Sequence, residues 1–219
     1  AHDDIIGCEN GAAIKSNRGS VFDTFRPTLA EFILKMPRGA QVIYPKDLGP
    51  ILMLADVHPG VRVFESGVGS GALSMALLRA GAQVTGYEIR EDFATRARTN
   101  VATMLGEDAL GDYQVQIRDA YGGVDETNLD RVILDLPEPW QVVPHAARAL
   151  HSGGIILAYT PSVLQASRFR EALDENGFGF AETVEVLHRS WHIDGAAVRP
   201  DHRMVAHTGF VSHARLLGS

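Results

Sequence analysis

Four acids in this chain recur at one kind of position. Glu65, Glu88, Asp119 and Asp135 each lie at or near the end of an apolar, strand-like run: VRVFE (61–65), AQVTGYE (82–88), YQVQIRD (113–119) and RVILDL (131–136). The first run leads into Ser66-Gly67-Val68-Gly69-Ser70-Gly71, followed by Ala72 and Leu73 at the start of a helical pattern. Glycines between a strand and a helix let the backbone turn tightly and bring unpaired N–H groups of a helix start close to a ligand. The dinucleotide fingerprint is spaced GxGxxG, whereas this loop reads GxGxG. Its acid, two residues before the first glycine, would repel a pyrophosphate and suits a cationic ligand such as an ammonium or a sulfonium. An acid at the end of the second strand, Glu88, is placed to accept hydrogen bonds from two ribose hydroxyls. Asp119 is placed to accept from an adenine amino group. In open α/β sheets such strand ends face the ligand crevice. The alternative is that each acid only caps a helix or meets solvent.

The elements that must hold these acids are legible as an alternation. Strand patterns at 61–65, 82–88, 113–119, 131–136 and 154–160 are separated by helical patterns at 70–81, 91–105, near 140–150 and at 162–177. Near-continuous apolar strands alternating with helices predict an α/β fold with a parallel sheet covered on both faces. Two more strand-like runs, 183–191 and 203–214, have no helix between them and predict a terminal antiparallel pair. Residues 1–38 read differently. Short β-like pieces, Asp4-Ile5-Ile6 and Ser20-Val21-Phe22, sit among glycines and polar residues, then LAEFILKM reads as helix. They are taken as a partial small β domain and linker, with 39–219 as the main domain. Asp47 is a plausible N-cap, with Pro50 in the first turn that follows.

The chain has 219 residues, 45% of them hydrophobic, enough for one sizeable core. No run approaches a membrane-spanning length, and no membrane partner is expected. One cysteine, Cys8, excludes an intramolecular disulfide and fits a reducing cytoplasm. Cys8 lacks a paired histidine and is not read as a nucleophile. A net charge of −7 argues against a general basic face for nucleic acid, although a local patch can still hold phosphate. His188 and His192 are four apart, but VEVLHRSWHI alternates as a strand, which spaces them about 13 Å from each other; no metal is expected. His207 is expected to be a hydrogen-bonded core residue.

The ESGVGSG loop, Glu88, Asp119 and the terminal strand pair together resemble class I S-adenosylmethionine-dependent methyltransferases. MPRGAQVIYPKD (36–47), LDLPEPW (134–140) and VRPDHRMVAHTGFV (198–211) narrow the resemblance to the tRNA (adenine-58-N1)-methyltransferases of bacteria and archaea. It implies a Rossmann-like seven-stranded sheet, S-adenosyl-L-methionine as cofactor with S-adenosyl-L-homocysteine as product, a tRNA substrate and a homotetramer. It also implies that residues 1–38 correspond to the second half of that family's N-terminal β domain, with the first half absent. Three departures are Phe93, where relatives often carry a histidine near the cofactor, AHTGFV in place of GHTAFL, and a short loop before the second strand. The cofactor contacts it implies are Gln41, Glu65, Gly67, Val68, Gly69, Ser70, Gly71, Ala72, Leu73, Glu88, Phe93, Asp119 and Asp135. Gln41 is expected at the methionine end.

Asp135 is the expected catalytic group. Adenine N1 carries an in-plane lone pair, and methylation leaves the ring cationic. A carboxylate facing that edge can fix the exocyclic amine, stabilise the charge and take a proton. Pro137 and Pro139 end the strand and are expected to hold the acid in place. Tyr44 is the second expected catalytic residue, stacking on the base or orienting it through its hydroxyl. Trp140 is expected to pack under the loop. Lys46, Arg90, Arg168, Arg189, Arg199 and Arg203 are candidate phosphate contacts.

Overall fold

The computed structural model describes residues 2–39 and 41–218 and divides into two units, Ala1–Lys35 and Met36–Ser219. In the first unit, strands β1 (Ala12–Lys15) and β2 (Val21–Thr24) form an antiparallel hairpin, with Ala12 opposite Thr24 and Lys15 opposite Val21. Helix α1 (Leu29–Lys35) follows. Thr28 starts it with a capping box. The Thr28 hydroxyl accepts from the Glu31 amide at 3.3 Å, and the Glu31 carboxylate accepts from the Thr28 amide at 2.8 Å. The β-like reading of Asp4-Ile5-Ile6 is corrected. A short 3-10 turn covers His2–Asp4, and the Cys8 amide donates to the Ile5 carbonyl at 3.2 Å, a local turn that uses groups a strand would need.

The second unit begins with α2 (Pro45–Leu54). Its N-cap is Tyr44, not Asp47: a residue before proline is driven to extended backbone, and Pro45 suits the first helical position. Asp47 therefore falls inside the first turn and is fully buried. Pro50 lies further along the helix than expected, where it offers no N–H to the preceding turn.

Seven strands build the main sheet: β3 (Arg62–Ser66), β4 (Gln83–Glu88), β5 (Tyr113–Ile117), β6 (Leu129–Leu134), β7 (Leu150–Thr160), β8 (Phe178–Glu185) and, numbered after the separate pair below, β11 (Phe210–Leu216). Their spatial order is β5-β4-β3-β6-β7-β11-β8. The first five are mutually parallel, and β11 runs antiparallel to both β7 and β8. The expected strand count and terminal antiparallel pair are both met. The tail needs one correction. The run 183–191 is not one strand: β8 stops at Glu185, and β9 (Trp191–Asp194) forms a separate hairpin with β10 (Ala197–Pro200). His188 lies between strands and His192 in β9, so a shared strand face does not describe them. Residues 203–209 are likewise irregular, and β11 begins only at Phe210.

Helices α3 (Ala72–Arg79), α4 (Glu91–Leu105), α5 (Val143–Ala149) and α6 (Val163–Glu175) cover the sheet. On one face Phe64, Val132, Leu134, Ile156 and Ala158 pack with Val143 and Ala146 of α5 and Phe169 and Leu173 of α6. Strand alternation sends Val63, Ile133 and Leu157 to the other face, also fully or almost fully buried. Phe169 is completely buried, so Phe169→Ala is expected to cost about 3–5 kcal/mol, read as a lower urea midpoint at unchanged slope.

Candidate active site

Strand order reverses between β3 and β6, which is where open α/β sheets form their ligand crevice. The last paired residues of the two strands are Ser66 and Leu134. Beyond them the Asp135 amide donates to the Ser66 carbonyl at 2.9 Å. Gly67 then turns away with φ near +88°, and a Cβ at that position would run into the Asp135 carbonyl. The loop and the acid are thus in backbone contact. The expectation that the prolines hold Asp135 is revised. Position 135 is set by β3 and Gly67, while the Gln165 amide donates to the Pro137 carbonyl at 2.8 Å and secures the segment after it.

A cavity of about 520 Å³ opens at this point. Of the expected cofactor residues, Gln41, Gly67, Val68, Gly69, Ser70, Ala72, Leu73, Glu88, Phe93 and Asp135 line it. Glu88 binds the loop: one carboxylate oxygen accepts from the Gly69 amide at 2.9 Å and the other from the Arg90 amide at 3.0 Å. The Arg90 guanidinium lies 3.7 Å from the centre of the Phe93 ring and pairs with Asp92. The Ser70 hydroxyl is buried in the wall and has no partner among the described residues. An unsatisfied hydroxyl beside a glycine loop and a ribose-type acid fits a polar adenosyl ligand.

Three expected contacts lie elsewhere. Gly71 sits behind the loop as the N-cap of α3. Asp119 is exposed and caps a 3-10 turn, accepting from the Tyr121 amide at 2.9 Å, the plain alternative raised for strand-end acids. Glu65 does not face the crevice. It is wholly buried beneath α3, accepting from the Ser74 hydroxyl at 2.7 Å, with its other oxygen unpartnered among the described residues. Burial pushes its carboxyl up to about 8, and the nearby Asp135 and Glu88 add in the same direction.

A smaller cavity of about 200 Å³ adjoins the first and shares Gln41, Val42, Ile43, Asp135 and Pro161 with it. Tyr44, Tyr159 and Thr208 complete its wall. Asp135 therefore stands where the two spaces meet. No side chain among the described residues donates to its carboxylate, and burial raises its carboxyl to about 7. The Tyr44 hydroxyl accepts from the Gln41 amide at 3.3 Å. Tyr159 and Thr208 are additions to the sequence reading. Thr208 lies in the quoted AHTGFV run, whereas Tyr159 sits in an apolar strand with no local signal.

Other expectations change as well. Lys46 is almost buried, paired with Asp47 at 2.8 Å and donating to the Val186 carbonyl at 2.6 Å, so it is not a phosphate contact. His207 is hydrogen-bonded, to Glu185 at 2.6 Å and the Pro161 carbonyl at 2.9 Å, but it is exposed rather than in the core. Trp140 is partly buried, with the Arg168 guanidinium 5.4 Å from its ring centre.

A family model described as "tRNA methyltransferase complex GCD14 subunit" matches residues 23–208. The tRNA (adenine(57)-N(1)/adenine(58)-N(1))-methyltransferase TrmI of Methanocaldococcus jannaschii is 34% identical, over 97% of this chain and 85% of its own length. A solved structure from Thermotoga maritima, described as a SAM-dependent O-methyltransferase, superposes with a TM-score of 0.92 at 33% identity, over 99% of this chain and 82% of that one. The tRNA (m1A58) methyltransferase TrmI of Aquifex aeolicus superposes with a TM-score of 0.84 at 30% identity, over 99% of this chain and 85% of that one.

Two outcomes follow from the geometry. Gly67→Ala forces a side chain onto the Asp135 carbonyl at a positive φ and is expected to destabilise the fold by at least about 1–3 kcal/mol in chemical unfolding. Glu65 has a raised carboxyl, so the folded state holds a proton that the unfolded state releases between pH 4.5 and about 8. Its stabilisation is full below that window and lost as pH rises through it. Glu65→Gln removes this dependence, and thermal unfolding at pH 6 and pH 9 should show a smaller drop for the variant than for the parent.

Proposed function

The chain belongs to the tRNA methyltransferase family described by the GCD14 subunit, and from that membership we propose that it methylates N1 of adenine 58 in tRNA. The observation that carries this reading is Asp135, set at the junction of an adenosyl-fitting cavity and a second pocket large enough to admit part of a base. Gly67, Val68, Gly69 and Ser70 would hold S-adenosylmethionine by backbone and hydroxyl groups, Glu88 would take its ribose, and Gln41 and Phe93 would flank it. Bound there, the cofactor supplies a methyl group on a positively charged sulfur.

Asp135 would receive the adenine edge: its carboxylate accepts from the exocyclic amine, orients the ring and balances the positive charge that methylation leaves on it. The same oxygen can then take the proton. Tyr44 would donate to the base or stack on it. The target adenine must be extruded from folded tRNA at a cost of a few kcal/mol. Exposed Arg189, Arg199 and Arg203 are the remaining candidates for phosphate contacts that offset this. Arg168 and Arg90 already rest on aromatic rings. Tetramer formation, implied by the resemblance, is supported by the exposed apolar side chains Trp191, Ile193 and Val198 on the β9–β10 hairpin.

The O-methyltransferase description of the Thermotoga protein supplies a second reading, transfer to a small hydroxyl acceptor. Labelled cofactor offered with an unmodified tRNA transcript and with a panel of phenols separates the two, and the methylated base is then mapped. Label at adenine 58 supports the first reading; label only in the phenols overturns it. Asp135→Asn is expected to lower the rate on tRNA by roughly 10²–10⁴-fold. With its carboxyl raised to about 7, the parent enzyme should lose rate as pH falls below 7, because protonation removes the acceptor. That acid limb should be absent in the variant.

A further inference from the structure

The pocket beside Asp135 contains a hydrogen-bond network that the proposed function does not use. Asp47 is fully buried in the first turn of α2. One of its oxygens lies 2.8 Å from the Lys46 ammonium, which is itself anchored on the Val186 carbonyl. The other accepts from the Thr208 hydroxyl at 2.7 Å and from the Tyr159 hydroxyl at 3.3 Å. Both hydroxyls belong to residues that line the pocket. Gly209 makes this arrangement possible, since a Cβ there would run into the Tyr159 ring.

An ionised carboxylate can only accept, and each hydroxyl has a single proton. Asp47 therefore takes the protons of Tyr159 and Thr208, and what those groups offer the pocket is oxygen lone pairs. Asp135 offers the same. The remaining hydroxyl in the wall, Tyr44, accepts from Gln41, and among the described residues its own proton has no acceptor. The carboxyl and hydroxyl groups of the wall thus present three acceptors, Asp135, Tyr159 and Thr208, against one donor, Tyr44, beside a Gln41 amide that can do either, and that balance fits a base edge bearing an amine. A ring carbonyl in the same place would set lone pair against lone pair and leave buried groups unpaired.

We propose that Asp47 is a positioning residue that turns the hydroxyl protons of Tyr159 and Thr208 away from the pocket, so that it selects a base with an exocyclic amine. The inference rests on the proposed function and extends it to the basis of base choice. It also dictates what Asp47→Asn does. Lys46 holds the amide oxygen, the NH₂ turns toward the two hydroxyls, and their protons are released to face the base.

The test uses the full chain, S-adenosylmethionine and two tRNA transcripts carrying either adenine or unsubstituted purine at position 58. Both bases keep the N1 lone pair, and only adenine has the amine. The parent should prefer adenine by about 10²-fold or more in kcat/KM. Asp47→Asn and Tyr159→Phe should each reduce that preference at least tenfold. A merely structural role would slow both transcripts equally, and an unchanged preference in the two variants overturns the inference. Should Asp47→Asn fail to fold, Tyr159→Phe, which strands no charge, decides the matter alone. A parent enzyme inactive on the adenine transcript overturns the proposed function and this inference with it. A parent active on adenine, with its preference intact in both variants, overturns this inference alone.

Discussion

The close approach of Gly67 to the backbone of Asp135 is the constraint on which the rest of the site depends. Two neighbouring parallel strands end together, and the residues just past their last pair touch main chain to main chain. Contact at that distance leaves no room for a side chain on the loop, so the first glycine is dictated by the acid at least as much as by any ligand. It also ties the glycine loop to the Asp135 carboxylate, so that neither shifts without the other, which is the kind of preorganisation that the proposed methyl transfer demands.

Electrostatics around this contact is arranged by depth. Glu88, almost buried, stays satisfied by two backbone amides, while among the described residues Glu65, lying deeper, has half of its carboxylate unpaired and Asp135 has no donor. Three acids in one neighbourhood repel one another, and burial without partners favours the neutral form. Burial raises Glu65 and Asp135, and the neighbouring acids add to it for Glu65; Asp47, a short distance along the pocket wall, has the Lys46 ammonium and two hydroxyls as partners. Identical chemical groups thus take different parts because their surroundings differ.

Much of this was legible in the sequence because it is local. A strand, a glycine loop and a helix occupy consecutive residues, and the 91–105 helix pattern matches α4 at both ends. The strand-end acids were found for the same reason. Which way each one points was not legible: Glu65 and Asp119 looked equivalent to Glu88 by position, but strand alternation buries one and a tight turn claims the other. Asp47 shows the limit most clearly. Read alone it is a good helix cap, yet Pro45 starts the helix earlier and leaves the acid for partners 112 and 161 residues away. The β9–β10 hairpin was missed because its residues continue the alternation of β8 without a break in pattern.

The Asp47–Thr208 hydrogen bond has a temporal meaning as well as a spatial one. Every residue named in the wall of the larger cavity lies at or before position 165. The smaller pocket also needs Thr208, just ahead of the strand β11 that inserts between β7 and β8. A chain emerging from the ribosome N-terminus first can assemble the wall of the larger cavity while the smaller pocket is still open. Closing a loop of such length is deferred until β11 is available. The order of the chain thus supplies every named wall residue of the larger cavity before the one that completes the smaller pocket.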